Sequence, residues 1–278
     1  MPRMLDRAAG RHARHEFAGS GYVLGRFRCP AGDERWGVLD WIGEWPHVVL
    51  PETPVRIGPS DGRAELRTVN EVVVYDGDTH YRRVAVSTEG DRCAFIAVEP
   101  ALADELALSA GRSRVRHAPA DPRAFLGLHR ARAALASGDP DLLAVDEALL
   151  AVVGHAARRT GDTAVDAPTD SGTAVVATVR EILASAPSRR WTLAELGSAV
   201  HYSPYCLARM FRRHTGTTIA AYRRQLCLRA SVPRALRPGA DLARIAADHG
   251  FSSHSHYTAA FRKHFGCTPT QARQVPRT

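Results

Sequence analysis

The stretch FRRHTGTT, residues 211–218, decides the fold of the C-terminal part, because it returns fifty residues later as FRKHFGCT, residues 261–268. Upstream, LAELG at residues 193–197 returns forty-nine residues later as LARIA at residues 242–246. The chain therefore contains two copies of one supersecondary unit, and the second copy has one extra residue between these landmarks.

The first copy has the signals of a helix, a tight turn and a second helix. Thr192 followed three residues later by Glu195 is a capping box, so a helix starts at about residue 193. Ser203 then caps a second helix whose first residue is Pro204. Leu207, Met210 and Phe211 share one face of this second helix, which we expect to be buried.

The second copy repeats these signals. Asp241 caps its first helix, and Gly250 can take the positive φ that the turn needs. Ser252 or Ser253 caps its second helix, in which Tyr257, Ala260 and Phe261 face inward. Both copies are therefore predicted to be helix-turn-helix units.

A helix-turn-helix reads DNA with its second helix, which fits the major groove. The outward faces of the two second helices predict base contacts from Tyr205, Ala208, Arg209, His254, Ser255 and Thr258. Phosphate contacts are predicted from Ser203, Arg212, Arg213, Ser253, His256, Arg262 and Lys263. Arg209 can bond a guanine through two hydrogen bonds, and Tyr205 can pack on a thymine methyl group. The alternative is a plain helical bundle with solvated arginines, which the repeated capping and shared basic faces argue against.

The charge distribution supports a polyanionic partner for this part alone. From Thr173 onward the chain has 16 Arg or Lys and four Asp or Glu, whereas the first 172 residues have 21 and 25. Such an asymmetry is typical of a nucleic-acid-binding module attached to a domain that binds no polyanion. Double-stranded DNA is therefore the expected partner.

Residues 175 to 274 resemble the DNA-binding domain of the AraC/XylS family of regulators. The matching residues are Leu193 to Leu196, Ser203, Leu207, Phe211, Gly216, Tyr222, Ile245, Ala246, Gly250 to Ser253, Phe261, Gly266, Thr268 and Pro269. The resemblance implies that a connecting helix, here Ile219 to about Ser231, sets the two recognition helices in successive major grooves. RNA polymerase is left open as a further partner, as is the choice between activation and repression.

Three residues depart from the family pattern. Ala259 stands where an arginine is frequent, and Ala272 replaces the usual aromatic residue. Pro233 falls inside or just after the connecting helix and should end or kink it.

The N-terminal part consists of short apolar runs separated by turns rich in Gly, Pro and Asp, which predicts a small antiparallel barrel or sandwich over about residues 20–100. The predicted strands are Tyr22–Arg28, His47–Leu50, Pro54–Ile57, Glu71–Tyr75, Tyr81–Val86 and Cys93–Val98. This part more loosely resembles the cupin-like sensor barrels attached to many such regulators. The resemblance implies an effector, of unknown identity, for this domain.

Helices are predicted over about residues 101–159. Asp139 followed by Pro140 looks like a helix start, and one apolar face then includes Leu149 and Val152, with Leu142, Val145 and Ala156. This face can pack on its own barrel or on a second chain, and the family resemblance favours a homodimer. The predicted organisation is thus a sensor and dimerisation domain at 1–159, a linker at 160–173 and an all-α DNA-binding domain at 174–278.

No cofactor or metal is predicted. The N-terminal histidines His12, His15, His47, His80 and His117 are isolated, unlike the clustered ligands of metal-binding cupins. The five cysteines lack any CxxC pair, so they are interpreted as small buried hydrophobes. Tryptophans Trp36, Trp41 and Trp45 either line a ligand pocket or belong to the barrel core.

Two other classes of protein stay open. A DNA-binding domain fused to an enzyme, such as an alkyl-accepting repair protein, would need a reactive Cys29 or Cys93. A nucleoid-architectural protein would have little use for a large acidic domain. No apolar run of about 18 residues and no leader is found, so a cytoplasmic, membrane-free protein is expected.

Overall fold

The computed structural model describes residues 13–59, 62, 64–109, 114–161 and 171–274. The chain divides into two compact units, Met1–Ala164 with Thr270–Thr278, and Val165–Pro269. We call them the N-terminal unit and the C-terminal unit. The predicted fold class is confirmed, because sheets with helices form the N-terminal unit, and helices form the described part of the C-terminal unit.

The strands of the N-terminal unit form two antiparallel sheets. They are β1 (Ala13–Gly19), β2 (Tyr22–Cys29), β3 (Leu39–Trp41), β4 (His47–Pro51), β5 (Val55–Pro59), β6 (Glu65–Arg67), β7 (Glu71–Tyr75), β8 (His80–Ala85), β9 (Asp91–Val98) and β10 (Val115–Pro119). The orders are β1-β2-β9-β4-β7-β10 and β3-β8-β5-β6. Side chains from both sheets, among them Val49, Ile57 and Phe95, share one apolar core. The predicted small barrel is thus built from two sheets around one core.

The six predicted strands are confirmed as β2, β4, β5, β7, β8 and β9, with ends that differ by a few residues. The strand β10 lies within residues 101–159, where only helices are predicted, so the prediction is wrong there. One of its two buried positions is occupied by Arg116, which donates to Asp76 and to the carbonyl of Leu108. An arginine in this position hides the alternation of apolar and polar residues by which strands are recognised.

Three of the described helices of the N-terminal unit come after β9 in the chain: α1 (Pro100–Glu105) precedes β10, and α2 (Pro122–Ser137) and α3 (Leu142–Gly161) follow it. The predicted start of α3 at Asp139 is wrong, because Asp141 is the residue that caps it. The Asp141 carboxylate accepts hydrogen bonds from the backbone N–H groups of Leu143 and Ala144, at 3.1 and 3.2 Å. Two aspartates lie within three residues here, and the composition alone does not say which one caps the helix.

The apolar face of α3 is confirmed, but its assignment to a dimer interface is wrong. Val145, Leu149, Val152 and Ala156 are all at most 2% exposed within this one chain. The helix packs against α2 and against the strands β7 and β10. The self-packing alternative therefore applies to this face, whereas Leu142 is half exposed and lies outside it.

The predicted linker at residues 160–173 overlaps a helix at each of its ends. Thr160 and residue 161 belong to α3, and residues 171–173 belong to the next helix, α4 (Ser171–Ser185). Residues 162–170 of the predicted linker lie outside the described residues.

Candidate nucleic-acid interface and N-terminal cavity

A buried ionic cluster lies inside the N-terminal unit around Arg83, whose side chain is completely buried. Its Nη2 donates to Asp40 Oδ2 at 2.7 Å and to the hydroxyl of Tyr81. The guanidinium carbon lies 3.9 Å from the ring centre of Phe27, and Nε lies 4.0 Å from a carboxylate oxygen of Asp91. An arginine at this depth is stabilised only while these partners remain in place.

Asp91 gives this cluster a pH dependence. Its burial raises the pKa of the carboxyl group to about 6, although Arg83 acts in the opposite direction. The folded state thus binds the proton more tightly than the unfolded state, and the free energy of unfolding falls as the pH rises from about 4 to 6. We expect the wild type to gain about 1 kcal/mol between pH 7 and pH 5 relative to Asp91→Asn. Urea denaturation at both pH values measures this difference, and parallel profiles for the two proteins would contradict it.

A cavity of about 50 Å³ lies beside this cluster and has mainly apolar and aromatic walls. Its polar lining residues are Asp40, His47, Arg67, Tyr75, Tyr81, Asp91 and Cys93. The volume leaves room for a few water molecules or a small chemical group. Of the three N-terminal tryptophans, Trp41 lines the cavity, whereas Trp36 and Trp45 pack against the apolar core.

His47 presents a fixed hydrogen-bond acceptor at this cavity. Its Nδ1 lies 2.9 Å from the carbonyl oxygen of Trp45, so Nδ1 carries the proton and donates it. Burial lowers the pKa of His47 to about 4, which keeps the ring neutral. Among the described residues, the buried Nε2 of His47 and the buried Nε of Arg67 have no hydrogen-bond partner. The cavity therefore holds one unmatched acceptor and one unmatched donor.

Neither barrel cysteine has the setting of a reactive thiolate. Burial raises the thiol pKa of Cys29, and raises that of Cys93 well above its usual value. The prediction that all five cysteines are buried is wrong for Cys206, which is exposed, and holds fully only for Cys29 and Cys227. Within the described residues, no three His, Cys, Asp or Glu side chains come together as metal ligands.

The C-terminal unit begins with α4 and continues with two helix-turn-helix units. Its other described helices are α5 (Leu193–Val200), α6 (Pro204–Thr215), α7 (Ile219–Ala235), α8 (Leu242–Asp248) and α9 (His254–Phe265). The short helix α10 (Pro269–Arg273) follows in the chain and belongs, from Thr270 onward, to the N-terminal unit. The predicted recognition helices are α6 and α9, and α7 connects the two units. None of the described helices is both long and apolar enough to cross a membrane.

The predicted caps of both units are confirmed. Thr192 accepts from the N–H of Glu195 at 3.1 Å, and the Glu195 carboxylate accepts from the N–H of Thr192 at 2.7 Å. Asp241 caps α8, and Ser203 and Ser253 cap the two recognition helices. Each recognition helix therefore starts at a residue fixed by the sequence.

Each of the two turns contains a residue with a positive φ angle, but only the second turn has a glycine at that position. Gly250 has φ +76°, as predicted, and His201 has φ +58° at the position forty-nine residues earlier. The sequence analysis missed His201, although the repeat offset maps it onto Gly250. In the first turn, the N–H of Tyr202 donates to the carbonyl of Gly197 at 2.9 Å. A Cβ at Gly197 would lie 2.5 Å from the oxygen of Tyr202, so this close approach requires glycine.

The predicted base-contact residues lie on the outer faces of α6 and α9. Tyr205 is 74% exposed, and Arg209, His254 and Ser255 are also exposed. Ala208 and Thr258 are half-buried. On the inner faces Leu207, Phe211, Tyr257 and Phe261 are fully buried, as predicted.

Two concave surfaces collect these residues, and we call them the first and second grooves. The first groove brings together Tyr205, Ala208, Arg209 and Arg212. The second groove is lined by His254, Ser255, Thr258, Ala259, Arg262, Lys263 and Thr268. Each groove thus combines predicted base-contact residues with predicted phosphate-contact arginines or lysine.

The remaining predicted phosphate contacts lie outside the lining of these grooves. Arg213, Ser203, Ser253 and His256 are all exposed. The Ser203 and Ser253 hydroxyl oxygens accept the capping N–H bonds, which leaves each hydroxyl proton free to be donated. His256 Nδ1 lies 2.9 Å from the hydroxyl of Ser252.

The first groove also contains residues that sequence reasoning missed. Trp191, Arg223 and Thr218 line it, from the segment before α5 and from the start of α7. The guanidinium of Arg189 lies 3.7 Å from the ring centre of Trp191 and also pairs with Glu195. The tryptophan directly before the capping box is the signal that could have indicated this wall.

The structure gives the positions of the three residues that depart from the family pattern. Ala259 is exposed in the second groove, where it offers no hydrogen bond to a base. Pro233 lies inside α7, as one of its two predicted placements had it, and the helix continues past it to Ala235 rather than ending there. Proline in the last turn removes few helical hydrogen bonds, which is why the helix can pass it. Ala272, the third, is buried.

Comparison with known proteins matches residues 196–274 to a family of helix-turn-helix domains. The chain is 34% identical over 91 residues to the RCS-specific HTH-type transcriptional activator RclR of Escherichia coli K12, covering 33% of this chain and 32% of that protein. It is 33% identical over 73 residues to the probable transcription factor PqrA of Proteus vulgaris, covering 26% of this chain and 60% of that protein. The chain thus spans less than two thirds of these relatives.

Among solved structures, an AraC-type DNA-binding regulator of Chromobacterium violaceum is 25% identical, with 37% of this chain and 94% of that chain covered and a TM-score of 0.34. ToxT of Vibrio cholerae is 10% identical, with 91% and 97% covered and a TM-score of 0.35. The duplicated helix-turn-helix geometry and the sequence matches coincide in the same residues. The chain therefore carries, over residues 196–274, a helix-turn-helix domain similar in sequence to parts of the transcriptional activator RclR and the probable transcription factor PqrA.

Proposed function

We propose that the protein is a sequence-specific transcription regulator whose helices α6 and α9 read two successive major-groove segments of double-stranded DNA. The observation that carries the proposal is the duplicated groove. Each recognition helix is capped by a serine and ends at a glycine, and each has three basic residues in its last turn, if the histidine is counted. Two equally built basic helices in one compact unit match a bipartite site on a duplex.

The two recognition helices are expected to contribute unequally to specificity. The first groove presents Arg209, which can bond a guanine through two hydrogen bonds. The second groove presents the shorter side chains of Ser255, Thr258 and Ala259. The first helix is thus proposed to select bases, and the second to add phosphate contacts and weaker selection.

Replacing Arg209 by alanine is the test of this assignment. We expect a loss of about 1 to 3 kcal/mol at the preferred DNA site and relaxed preference at one base pair, because a bidentate guanine contact discriminates by that amount. Arg213→Ala is the control, since a phosphate contact should weaken binding to all sequences alike. The measurement is a binding titration of each variant, at one salt concentration, with the preferred site selected from random sequences and with random DNA. Equal losses on both DNAs for Arg209→Ala would remove that residue from base readout.

We further propose that a small molecule in the N-terminal cavity modulates the regulator. The unmatched acceptor of His47 and the unmatched donor of Arg67 support this proposal, since buried polar groups in proteins are normally paired. The volume and the walls of the cavity favour a ligand group of a few non-hydrogen atoms that has an apolar part and both donates and accepts hydrogen bonds.

Filling the cavity tests the modulation. Val73 is 1% exposed and lines the cavity, so Val73→Phe should occupy the ligand's space. We expect the variant, once thermal melting shows that it is folded, to keep its DNA affinity in vitro. A reporter driven by the selected site should then stay at one level across growth conditions in which the wild type varies. Equal variation with both proteins would count against a ligand in this cavity.

Nothing specific favours the two other classes. A repair enzyme would need a reactive barrel cysteine, and burial raises the thiol pKa of both candidates. A nucleoid-architectural protein would bind selected and random DNA alike, which the titrations above distinguish.

A further inference from the structure

We propose that the hydrogen bond between the Tyr257 and Ser231 hydroxyls positions the second recognition helix on α7 and thereby sets the spacing between the two DNA segments. The inference rests on the proposed function, since it concerns how the two recognition helices act together. Ser231 and Tyr257 are positioning residues, because both are fully buried and neither can touch DNA.

The direction of this hydrogen bond follows from its neighbours. The two hydroxyl oxygens are 2.9 Å apart, and Ser231 Oγ also lies 2.6 Å from the carbonyl oxygen of Leu228. A carbonyl can only accept, so the Ser231 proton goes to Leu228 and the Tyr257 hydroxyl donates to Ser231. The two hydrogen bonds form a chain in which Tyr257 donates to Ser231 and Ser231 donates to the Leu228 carbonyl. Both side chains are shielded from water. Such a buried bond costs more to leave unmade than an exposed one.

The fold itself does not require the Tyr257 hydroxyl. The repeat places Leu207 at the corresponding position of the first recognition helix, fifty residues earlier, and Leu207 is also fully buried. The Tyr257 ring packs on Phe251 and Phe261, at 5.2 and 5.7 Å between ring centres. A phenylalanine would keep these ring contacts. The hydroxyl therefore adds a directional contact to α7 that the first unit lacks at this position.

The helix α7 holds both recognition helices at fixed points along its length. Near its start, the ring of Tyr222 packs edge-on against Phe211 of α6, at 5.5 Å. Ser231 follows nine residues later, which is about 13 Å along the axis. A helix pair that reads two grooves must be set to the repeat of the duplex, about 34 Å for one turn. Fixing α9 on α7 thus fixes the register in which both helices meet the DNA.

The hydroxyl bond also lies in the turn of α9 that meets the bases. Tyr257 is preceded by His254 and Ser255 and followed by Thr258, which line the second groove. A small rotation of α9 about its axis would move these three side chains together. The directional bond resists that rotation, whereas ring packing alone tolerates it.

The test compares Tyr257→Phe with the wild type on three duplexes: the site selected from random DNA, and the same site with one base pair inserted or deleted between its two segments. We expect Tyr257→Phe to bind the native spacing roughly five- to tenfold more weakly, as the loss of one buried hydrogen bond predicts. Binding to the altered spacings should change less, so that the discrimination between spacings narrows. A uniform loss on all three duplexes, or no loss, would overturn the proposal.

Two further variants separate positioning from stability. Tyr222→Phe removes a buried hydroxyl on the same helix, one that accepts from Arg180 Nε of α4 at 3.2 Å. It should leave the discrimination between spacings unchanged. Ser231→Ala combined with Tyr257→Phe should be no worse than either single change, because all three remove the same bond.

Hydrogen exchange on the free full-length protein makes the test independent of DNA. Amide protons of α9 should exchange faster in Tyr257→Phe than in the wild type, while those of α6 stay unchanged. Unchanged exchange in α9 would overturn the positioning role even if the wild type selects no DNA site. Failure of the wild type to select a site, together with faster exchange in α9, would instead count against the proposed function.

Discussion

Replacing Leu149 by glutamate is expected to unfold the N-terminal unit. Leu149 is 0% exposed on the face of α3 that packs on α2 and the sheet. The change removes a buried apolar side chain and puts a carboxylate in its place. Loss of the side chain alone costs about 3 to 5 kcal/mol, and the unpaired charge adds to it. The summed cost equals most of the free energy of unfolding of an ordinary domain, or exceeds it.

Urea denaturation followed by tryptophan fluorescence measures this effect, since Trp36, Trp41 and Trp45 all lie in the N-terminal unit. Leu150→Glu is the matched control, because the neighbouring Leu150 is 38% exposed on the other side of α3. It should change the free energy of unfolding by about 1 kcal/mol or less. If Leu149→Glu instead gave a folded monomer with intact sheets, this face of α3 would again be a candidate for contact with a second chain.

Replacing Asp40 by alanine should destabilise the same unit by about 3 to 5 kcal/mol. The change deletes the 2.7 Å bond to Arg83 and leaves a completely buried guanidinium with Asp91 at 4.0 Å as its remaining carboxylate. The cost arises from the charge that stays behind rather than from the strength of the pair itself.

Asp33→Ala provides the comparison for Asp40→Ala. Asp33 binds Arg35 at the same distance of 2.7 Å, but both side chains have contact with solvent, so its loss should cost much less than the loss of Asp40. Adding Arg83→Met to Asp40→Ala should recover part of the stability, because the unpaired charge is then removed. Equal costs for Asp40→Ala and Asp33→Ala would show that Arg83 does not depend on Asp40.

The helical unit could be predicted from sequence because its signals are local and repeated. The capping box at Thr192 and the serine caps of α6 and α9 each act within one helical turn, so nothing distant decides them. The partner of an apolar helix face is decided at long range. The pattern containing Leu149 predicted a buried face correctly, but could not say that α2 and the sheet cover it.

The candidate site could likewise be predicted only where its residues follow a local pattern. The outward positions of α6 follow from its buried Phe211, which placed Arg209 and Tyr205 correctly in exposed positions. The opposite wall of the first groove comes from segments separated in sequence, and Trp191 and Arg223 gave no periodic signal. The cluster around Arg83 was equally hidden, because a buried charge breaks the alternation that marks an inward position.

The two turns of the helix-turn-helix units have consequences for how the two halves of this duplicated domain can diverge. At position 250 a Cβ would lie 2.8 Å from the backbone oxygen of Ser188, and φ is positive, so selection can retain only glycine there. Position 201 also has a positive φ angle, but it is occupied by histidine, so residues other than glycine are tolerated there. The two equivalent turn positions therefore differ in the residues that they accept. In relatives, position 201 should vary more than position 250.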